Sequence, residues 1–263
     1  MKSGIKVLVF GGTGVIGTEL IKKLKADGNI VTNVSKTTES GLADINLKMD
    51  LGAVDLTKML ELSEAIDVDI VYYLATYSTT DKMTKASLKQ EAYILDMVIQ
   101  AFNCSVRYAS SYAVTDTIAY PKNDVRNYYR EAKKEGEKTI SFYANLDYDV
   151  VSFRIPAVYG GENNNRAMYK VINSLYKNET VELKKETVEF CYVEDVVNTM
   201  IDDRCSHTGL IQIPTEKINL KNLVYRLKGT LCSTSEIIDN VPISQAEVEL
   251  TEHLLETIAD YKH

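Results

Sequence analysis

The stretch FGGTGVIGTEL, Phe10 to Leu20, sets four glycines within seven positions, directly behind the apolar run IKVLVF (Ile5 to Phe10). This pairing restricts the fold more than any other feature, because glycine permits sharp turns and close approach to the backbone. A short apolar run bounded by glycine fits a strand buried on both faces. Beyond the loop, Val15, Ile16, Leu20, Ile21 and Leu24 recur at helical spacing, and Asp27-Gly28 ends the helix. NIVTNV (Asn29 to Val34) is the next strand. Strand, glycine turn, helix and strand within ~30 residues make a βαβ unit. In that context a glycine pattern marks a pyrophosphate seated on a helix start. Gly12, Gly14 and Gly17 spell G-x-G-x-x-G, while Gly11, Gly14 and Gly17 spell G-x-x-G-x-x-G. Gly11, Thr13, Gly14, Val15, Ile16 and Gly17 are the candidate cradle.

The alternation continues. INLKMD ends a third strand near Asp50, LTKMLELSEAI is a helix, and DIVYYLA a strand. A helix over 85–102, the strand VRYAS (Val106 to Ser110), a helix over 123–143 and the strand YDVVSFRI (Tyr148 to Ile155) follow. This order predicts an α/β fold of Rossmann type, a doubly wound parallel sheet with helices on both faces. Such sheets bind ligands at the carboxyl ends of their strands. Leu74, Ala75, Thr76, Ile155, Pro156 and Val158 are therefore further cofactor candidates. After Pro156 the rhythm loosens into the loop GGENNN, a helix from about Arg166 to Tyr176 and the strand VEFCYV. EDVVNTMIDD (helix), GLIQI (strand), a helix over 220–228 and an acidic helical tail from Glu247 complete the chain. The expected division is a dinucleotide-binding domain over 1–155 and a small mixed substrate lobe over 156–263, some of it returning to the first sheet.

Composition narrows the classes. With 263 residues and a formal net charge of -7, a nucleic-acid-binding surface is not favoured. Cys104, Cys191, Cys205 and Cys232 form no C-x-x-C pair, and His207, His253 and His263 do not join them. Free thiols in a reducing compartment are the simpler reading than zinc. IVYYLA (Ile70 to Ala75) falls far short of the ~18 apolar residues a membrane span needs. The expectation is a soluble cytoplasmic protein with a small-molecule substrate, no metal, no membrane and no nucleic acid.

The dinucleotide fingerprint also calls for an acidic residue ~20 positions on, for the ribose 2′-hydroxyl. The second strand ends VSKT instead. Ser35 and Lys36 suit a 2′-phosphate better, which predicts NADP over NAD, with NAD still possible.

On the helix over 123–143, Tyr129 and Lys133 are four apart and share one face. A phenol beside an ammonium gives up its proton more readily. It can pass that proton to or from a carbonyl or alcohol, the step that accompanies hydride transfer. RYASSYAV ends the preceding strand, so Ser110 or Ser111 can hydrogen-bond the same substrate oxygen.

GGTGVIG, DIVYYLA, YASS, YREAKKEGE, RIPAVYG and FCYVEDV occur in this order. Together they resemble the extended short-chain dehydrogenase/reductases, the nucleotide-sugar epimerase/dehydratase group. The resemblance covers most of residues 5–215. It matches the family's G-x-x-G-x-x-G at Gly11, Gly14 and Gly17, its Y-x-x-x-K at Tyr129 and Lys133, and a following G-E at Gly136-Glu137. It also matches R-x-x-x-V-Y-G at Arg154, Val158, Tyr159 and Gly160, V-x-D at Val193 and Asp195, and the adenine-side Asp-Leu at Asp50 and Leu51. The resemblance implies that Tyr129 donates or accepts the proton, that Lys133 assists it and binds the nicotinamide ribose, and that Ser111 orients the substrate oxygen. Thr76, Ser110, Tyr112 and Ala157 are implied substrate neighbours, and a homodimer is compatible with the family.

The chain departs from the family at instructive points. The 4,6-dehydratases carry Asp-Glu directly after the catalytic threonine, whereas Tyr112 and Ala113 follow Ser111 here. Dehydration is therefore disfavoured, leaving a nucleotide-sugar 4-ketoreductase or C4 epimerase. Ala157 and Val188 stand where the family often has substrate-contacting Asn and Arg. That keeps open a reductase of another small carbonyl compound. A dinucleotide-sensing regulator is a third reading, although regulatory relatives usually lack the Tyr/Lys pair.

Overall fold

The computed structural model describes residues 4–36, 39–76, 83–115, 121–161, 167–183, 187–202, 209–231 and 233–239. The acidic tail, Cys205 and Cys232 lie outside the described residues. The chain divides into two compact units. One is Met1–Ile155 with Val196–Ile213, and the other is Pro156–Asp195 with Pro214–His263.

The first unit holds a seven-stranded sheet. Its strands are β1 (Lys6–Phe10), β2 (Ile30–Ser35), β3 (Ile45–Lys48), β4 (Ile70–Tyr73), β5 (Ser105–Ser111), β6 (Val150–Ile155) and β10 (Gly209–Gln212). Their order is β10-β6-β5-β4-β1-β2-β3, and every neighbouring pair is parallel. The strand order reverses between β1 and β4, so a crevice opens there at the carboxyl edge. Helices α1 (Val15–Ala26), α2 (Leu56–Ala65), α3 (Ser87–Phe102) and α4 (Val125–Ala144) make the crossovers. The sheet and α3 bury Leu8, Phe10, Val71, Ile94, Leu95, Val98 and Val106. Each such side chain contributes roughly 1.5–3 kcal/mol of burial. Aromatic rings continue the layer, with Phe10 5.8 Å from Tyr73 and Tyr73 6.1 Å from Tyr108.

Caps explain where helices start. Asp55 accepts from the Lys58 amide ahead of α2, and Asp124 from the Arg126 amide ahead of α4. The Asp124 cap is why α4 begins at Val125 rather than at Asn123 as the sequence pattern suggested. The third strand likewise stops at Lys48, because Asp50 turns to accept from the Gly52 amide and starts a 3-10 turn over Leu51–Ala53.

The second unit contains β7 (Ala157–Tyr159), α5 (Ala167–Tyr176), β8 (Val181–Leu183), β9 (Thr187–Tyr192), β11 (Glu216–Asn219), α7 (Leu220–Thr230) and β12 (Ile237–Asp239). α6 (Val193–Ile201) starts in this unit and runs into the first. β11-β9-β7 form one sheet and β12-β8 another. Tyr159, Ile172, Leu175, Phe190 and Leu223 make this unit's own core. Tyr192 presses against Gly160, which has φ +76° and where a Cβ would come within 2.2 Å of the ring, so glycine is needed after Val158-Tyr159. No helix among the described residues is long and apolar enough to cross a membrane.

Candidate active site

The glycine loop leaves β1 at the reversal point and opens α1. Gly11 has φ +87°, and a Cβ there would lie 2.9 Å from the Ala75 nitrogen. Only glycine fits both the turn and the contact with the end of β4. Gly17 meets the loop itself, since a Cβ would lie 2.4 Å from the Gly11 oxygen and 2.6 Å from the Gly12 Cα. Gly12 is pinned too, by the buried Asn33 of β2, whose Oδ1 accepts from the Gly12 amide at 3.1 Å. Gly14 differs. A Cβ there would meet only the Gly11 oxygen at 3.5 Å, an ordinary contact, so Gly14 is spared by the protein's own packing. Gly14 is also the N-cap of α1 and has no capping side chain, and the helix's first turn carries no acid. Uncapped amides at a helix start bind anions. This cradle fits a dinucleotide pyrophosphate, with Thr13 and Gly14 exposed and Val15 and Ile16 half-buried.

Asn33 was not singled out by the sequence pattern, although an asparagine inside IVTNVS was a visible signal. Its Nδ2 donates to Asn46 Oδ1 at 2.8 Å, and Asn46 in turn holds both backbone groups of Ser40. Ser35 and Lys36 follow at the end of β2. Lys36 Nζ lies 2.8 Å from Asp50 Oδ2, so two of the predicted cofactor residues meet each other. That hydrogen bond, with the Gly52 amide, holds the Asp50 carboxyl below its ordinary range. Both side chains are largely exposed, and a pair of that kind is weakly held. Leu51 sits in the adjoining 3-10 turn. Leu74, Ala75 and Thr76 leave the end of β4, with the Leu74 amide still donating to the Phe10 carbonyl.

Tyr129 and Lys133 occupy one face of α4. Lys133 is 2% exposed, and its Nζ stands 5.8 Å from the centre of the Tyr129 ring. The ammonium donates to the Ala109 carbonyl at 2.8 Å and to Glu91 Oε1 at 2.5 Å. Glu91 lies on α3, is fully buried, and also accepts from the Tyr108 hydroxyl at 2.8 Å. Tyr108 reaches it by passing under α4 at Gly136, where a Cβ would come within 2.3 Å of the hydroxyl. Burial first, and the Glu91 charge second, push the Tyr73 and Tyr108 phenols well above their ordinary range.

The two serines of YASS part company, as neighbours on a strand must. Ser110 is buried and donates to Glu137 Oε1 at 2.6 Å. Arg154 clamps the same carboxylate, at 2.9 Å from Nε to Oε1 and 2.8 Å from Nη2 to Oε2. The R-x-x-x-V-Y-G arginine and the G-E glutamate therefore form a brace between β6 and α4. Ser111, half-buried at the end of β5, accepts from the Ala113 amide at 3.2 Å and keeps its own hydrogen to donate. Ile155 pairs with Ser111 across the sheet. The Tyr112 hydroxyl donates to the Ile213 carbonyl. Pro156, Ala157 and Val158 belong to the second unit, where β7 pairs Ala157 with Phe190 and Val158 with Cys191. Among the described residues no three His, Cys, Asp or Glu side chains cluster as a metal site.

Comparison with known proteins adds to this geometry. Residues 7–201 match the model of the NAD dependent epimerase/dehydratase family. The chain belongs to that family. Its membership is that of the extended short-chain dehydrogenase/reductases, as the motifs implied. No curated protein matches the sequence closely enough to count as a relative. Solved structures share the fold at low identity. A UDP-glucose 4-epimerase from Thermotoga maritima, solved with UDP-glucose, is 16% identical with a TM-score of 0.78, covering 98% of this chain and 99% of its own. The Bordetella bronchiseptica enzyme WbmF, solved with NAD+, is 19% identical with a TM-score of 0.76, covering 99% and 93%. A UDP-N-acetylglucosamine 4-epimerase from Bacillus cereus is 17% identical with a TM-score of 0.71, covering 90% and 85%. This family member has the Rossmann-type α/β fold of these epimerases.

Proposed function

We propose that this protein is an NAD(P)-dependent oxidoreductase working on a nucleotide-sugar, as a 4-ketoreductase or a C4 epimerase, through Ser111, Tyr129 and Lys133. The observation that carries the reading is Lys133 Nζ 5.8 Å from the Tyr129 ring on one face of α4, beside the carboxyl end of β5. A bound nicotinamide dinucleotide would supply or take up hydride. The chain's residues hold it and handle the proton. Gly11, Thr13, Gly14, Val15, Ile16 and Gly17 cradle the pyrophosphate, and Asp50 and Leu51 flank the adenine. Leu74, Ala75 and Thr76 line the crevice at the end of β4. Lys36, only weakly engaged by Asp50, is free to turn to a ribose 2′-phosphate, which favours NADP modestly while leaving NAD usable.

Ser111 donates to the substrate oxygen, and Tyr129 passes a proton to that oxygen during reduction or takes one from the alcohol during oxidation. Lys133 stabilises the phenolate so formed. Ser110 supports the site from behind, with its hydroxyl committed to Glu137. The nucleotide-sugar assignment is supported by the solved epimerases that hold UDP-glucose or are named for UDP-sugars. Ala157 and Val188 favour a second reading, a reductase of another small carbonyl compound by the same residues. A panel of nucleotide-sugars and their 4-keto derivatives, run with both cofactors, separates the cases. A reductase consumes absorbance at 340 nm in step with product. An epimerase makes product with no net change. Turnover of non-nucleotide carbonyls alone would overturn the nucleotide-sugar assignment.

A further inference from the structure

Two asparagines outside every sequence motif join the glycine turn to the loop that carries Lys36. Asn33 lies within β2, and Asn46 is its register partner on β3. Asn33 is 0% exposed, so both ends of its amide need partners. Its Oδ1 accepts from the Gly12 amide at 3.1 Å, and its Nδ2 donates to Asn46 Oδ1 at 2.8 Å. Asn46 Oδ1 also accepts from the Ser40 amide at 2.8 Å, and its Nδ2 donates to the Ser40 carbonyl at 2.9 Å. A backbone N–H only donates and a carbonyl only accepts, so Gly12 at one end and Ser40 at the other fix the direction of both side-chain amides. Flipping either amide would set donor against donor and acceptor against acceptor. The two side chains thus form one directional bridge from the glycine turn, across β2 and β3, to residue 40.

We propose that Asn46 is a positioning residue for cofactor choice. Through Asn33 and Ser40 it ties the loop after β2 to the glycine turn, so the place for a ribose 2′-phosphate and the pyrophosphate cradle are held as one piece. The inference rests on Lys36 being the residue that meets the 2′-phosphate. Lys36 stands between two fixed points of backbone. On one side the Ser35 carbonyl accepts from the Met49 amide at 2.9 Å. On the other side Ser40 is buried, with its amide and carbonyl both held by Asn46. The Lys36 side chain is 67% exposed, and its pair with Asp50 is weakly held. The two anchors therefore fix the point from which its ammonium reaches out. With the loop anchored, a phosphate has only the side chain to order. With the loop loose, the same event must order backbone as well. That added cost falls on a dinucleotide with a 2′-phosphate and largely spares one with a 2′-hydroxyl.

The test is Asn46→Ala in the full chain, with NADPH and NADH affinities measured by calorimetric titration and no substrate present. The ratio of NADPH to NADH affinity falls roughly three- to tenfold. A loss of structure alone weakens both dinucleotides together and leaves the ratio where it was. In a Lys36→Ala background there is no ammonium to place, so adding N46A leaves the ratio unchanged. If K36A lowers the ratio while N46A keeps the parent's, the positioning role is overturned and the Lys36 reading stands. A further fall of the same size when N46A is added to K36A also overturns the positioning role. A ratio that K36A does not move sinks the Lys36 reading, and the proposal with it. Should circular dichroism show that N46A does not fold, Asn46→Thr decides. Threonine suits a strand, and its hydroxyl stands one bond short of the amide atoms, too short to reach both Ser40 groups. The ratio must fall in that variant too.

Discussion

Gly17→Ala and Gly14→Ala separate the two jobs of the glycine loop. A Cβ at position 17 would lie 2.4 Å from the Gly11 oxygen and 2.6 Å from the Gly12 Cα, both backbone atoms that cannot swing aside. Overpacking of that kind costs roughly 1–3 kcal/mol, against a gain of at most ~1 kcal/mol for alanine over glycine in a helix. The net loss is about 1–2 kcal/mol, a fall in Tm of about 2–4 °C for a chain of this size. At position 14 the nearest contact is 3.5 Å, so G14A stays within about 1 kcal/mol of the parent. A methyl there stands where the pyrophosphate must approach, so G14A loses cofactor affinity at least tenfold, about 1.4 kcal/mol. Thermal melts without ligand give the first quantity, and calorimetric titration with NADPH and NADH gives the second. Equal melting losses in the two variants, or full cofactor affinity in G14A, would refute the reasoning.

Other consequences are as direct. Gly136→Ala should lower stability by about 1–3 kcal/mol, because its methyl would meet the Tyr108 hydroxyl at 2.3 Å, and a thermal melt reads this. Lys36→Ala should reduce the affinity for NADPH relative to NADH severalfold, and an unchanged ratio would remove Lys36 from the cofactor site. Burial pushes the Cys104 thiol up to about 11. Burial, with Asp195 and Glu216, pushes Cys191 up to about 12. A raised pKa leaves the thiol protonated, so at pH 8 the thiolate fraction is about 0.1% or less. In a C205S/C232S background iodoacetamide should label neither residue appreciably at pH 8, and mass spectrometry checks it.

The βαβ opening, the parallel sheet and the Tyr129/Lys133 face were legible because each is carried by local periodicity or by glycine. The phase of YASS was not legible. Which serine is buried against Glu137 and which keeps a hydrogen to donate depends on the register of β5 against β6 and on Glu137 arriving from α4, and no local pattern holds that information. Glu91 was hidden for a related reason. In KQEAYILDM a glutamate reads as the wet side of a helix, and only the packing of Tyr108 and Lys133 onto α3 makes it buried. The strands of the second unit, β7, β8, β11 and β12, are three or four residues long and are defined by their partners more than by their own sequence.

The central claim is that Tyr129 moves the proton while a bound dinucleotide carries hydride. Its most direct test is Tyr129→Phe assayed beside the parent on the nucleotide-sugar panel, with product followed by chromatography and cofactor affinity measured in parallel. The account predicts that Y129F binds the dinucleotide within a few-fold of the parent and makes no product above background. Turnover near the parent's rate in Y129F would contradict it.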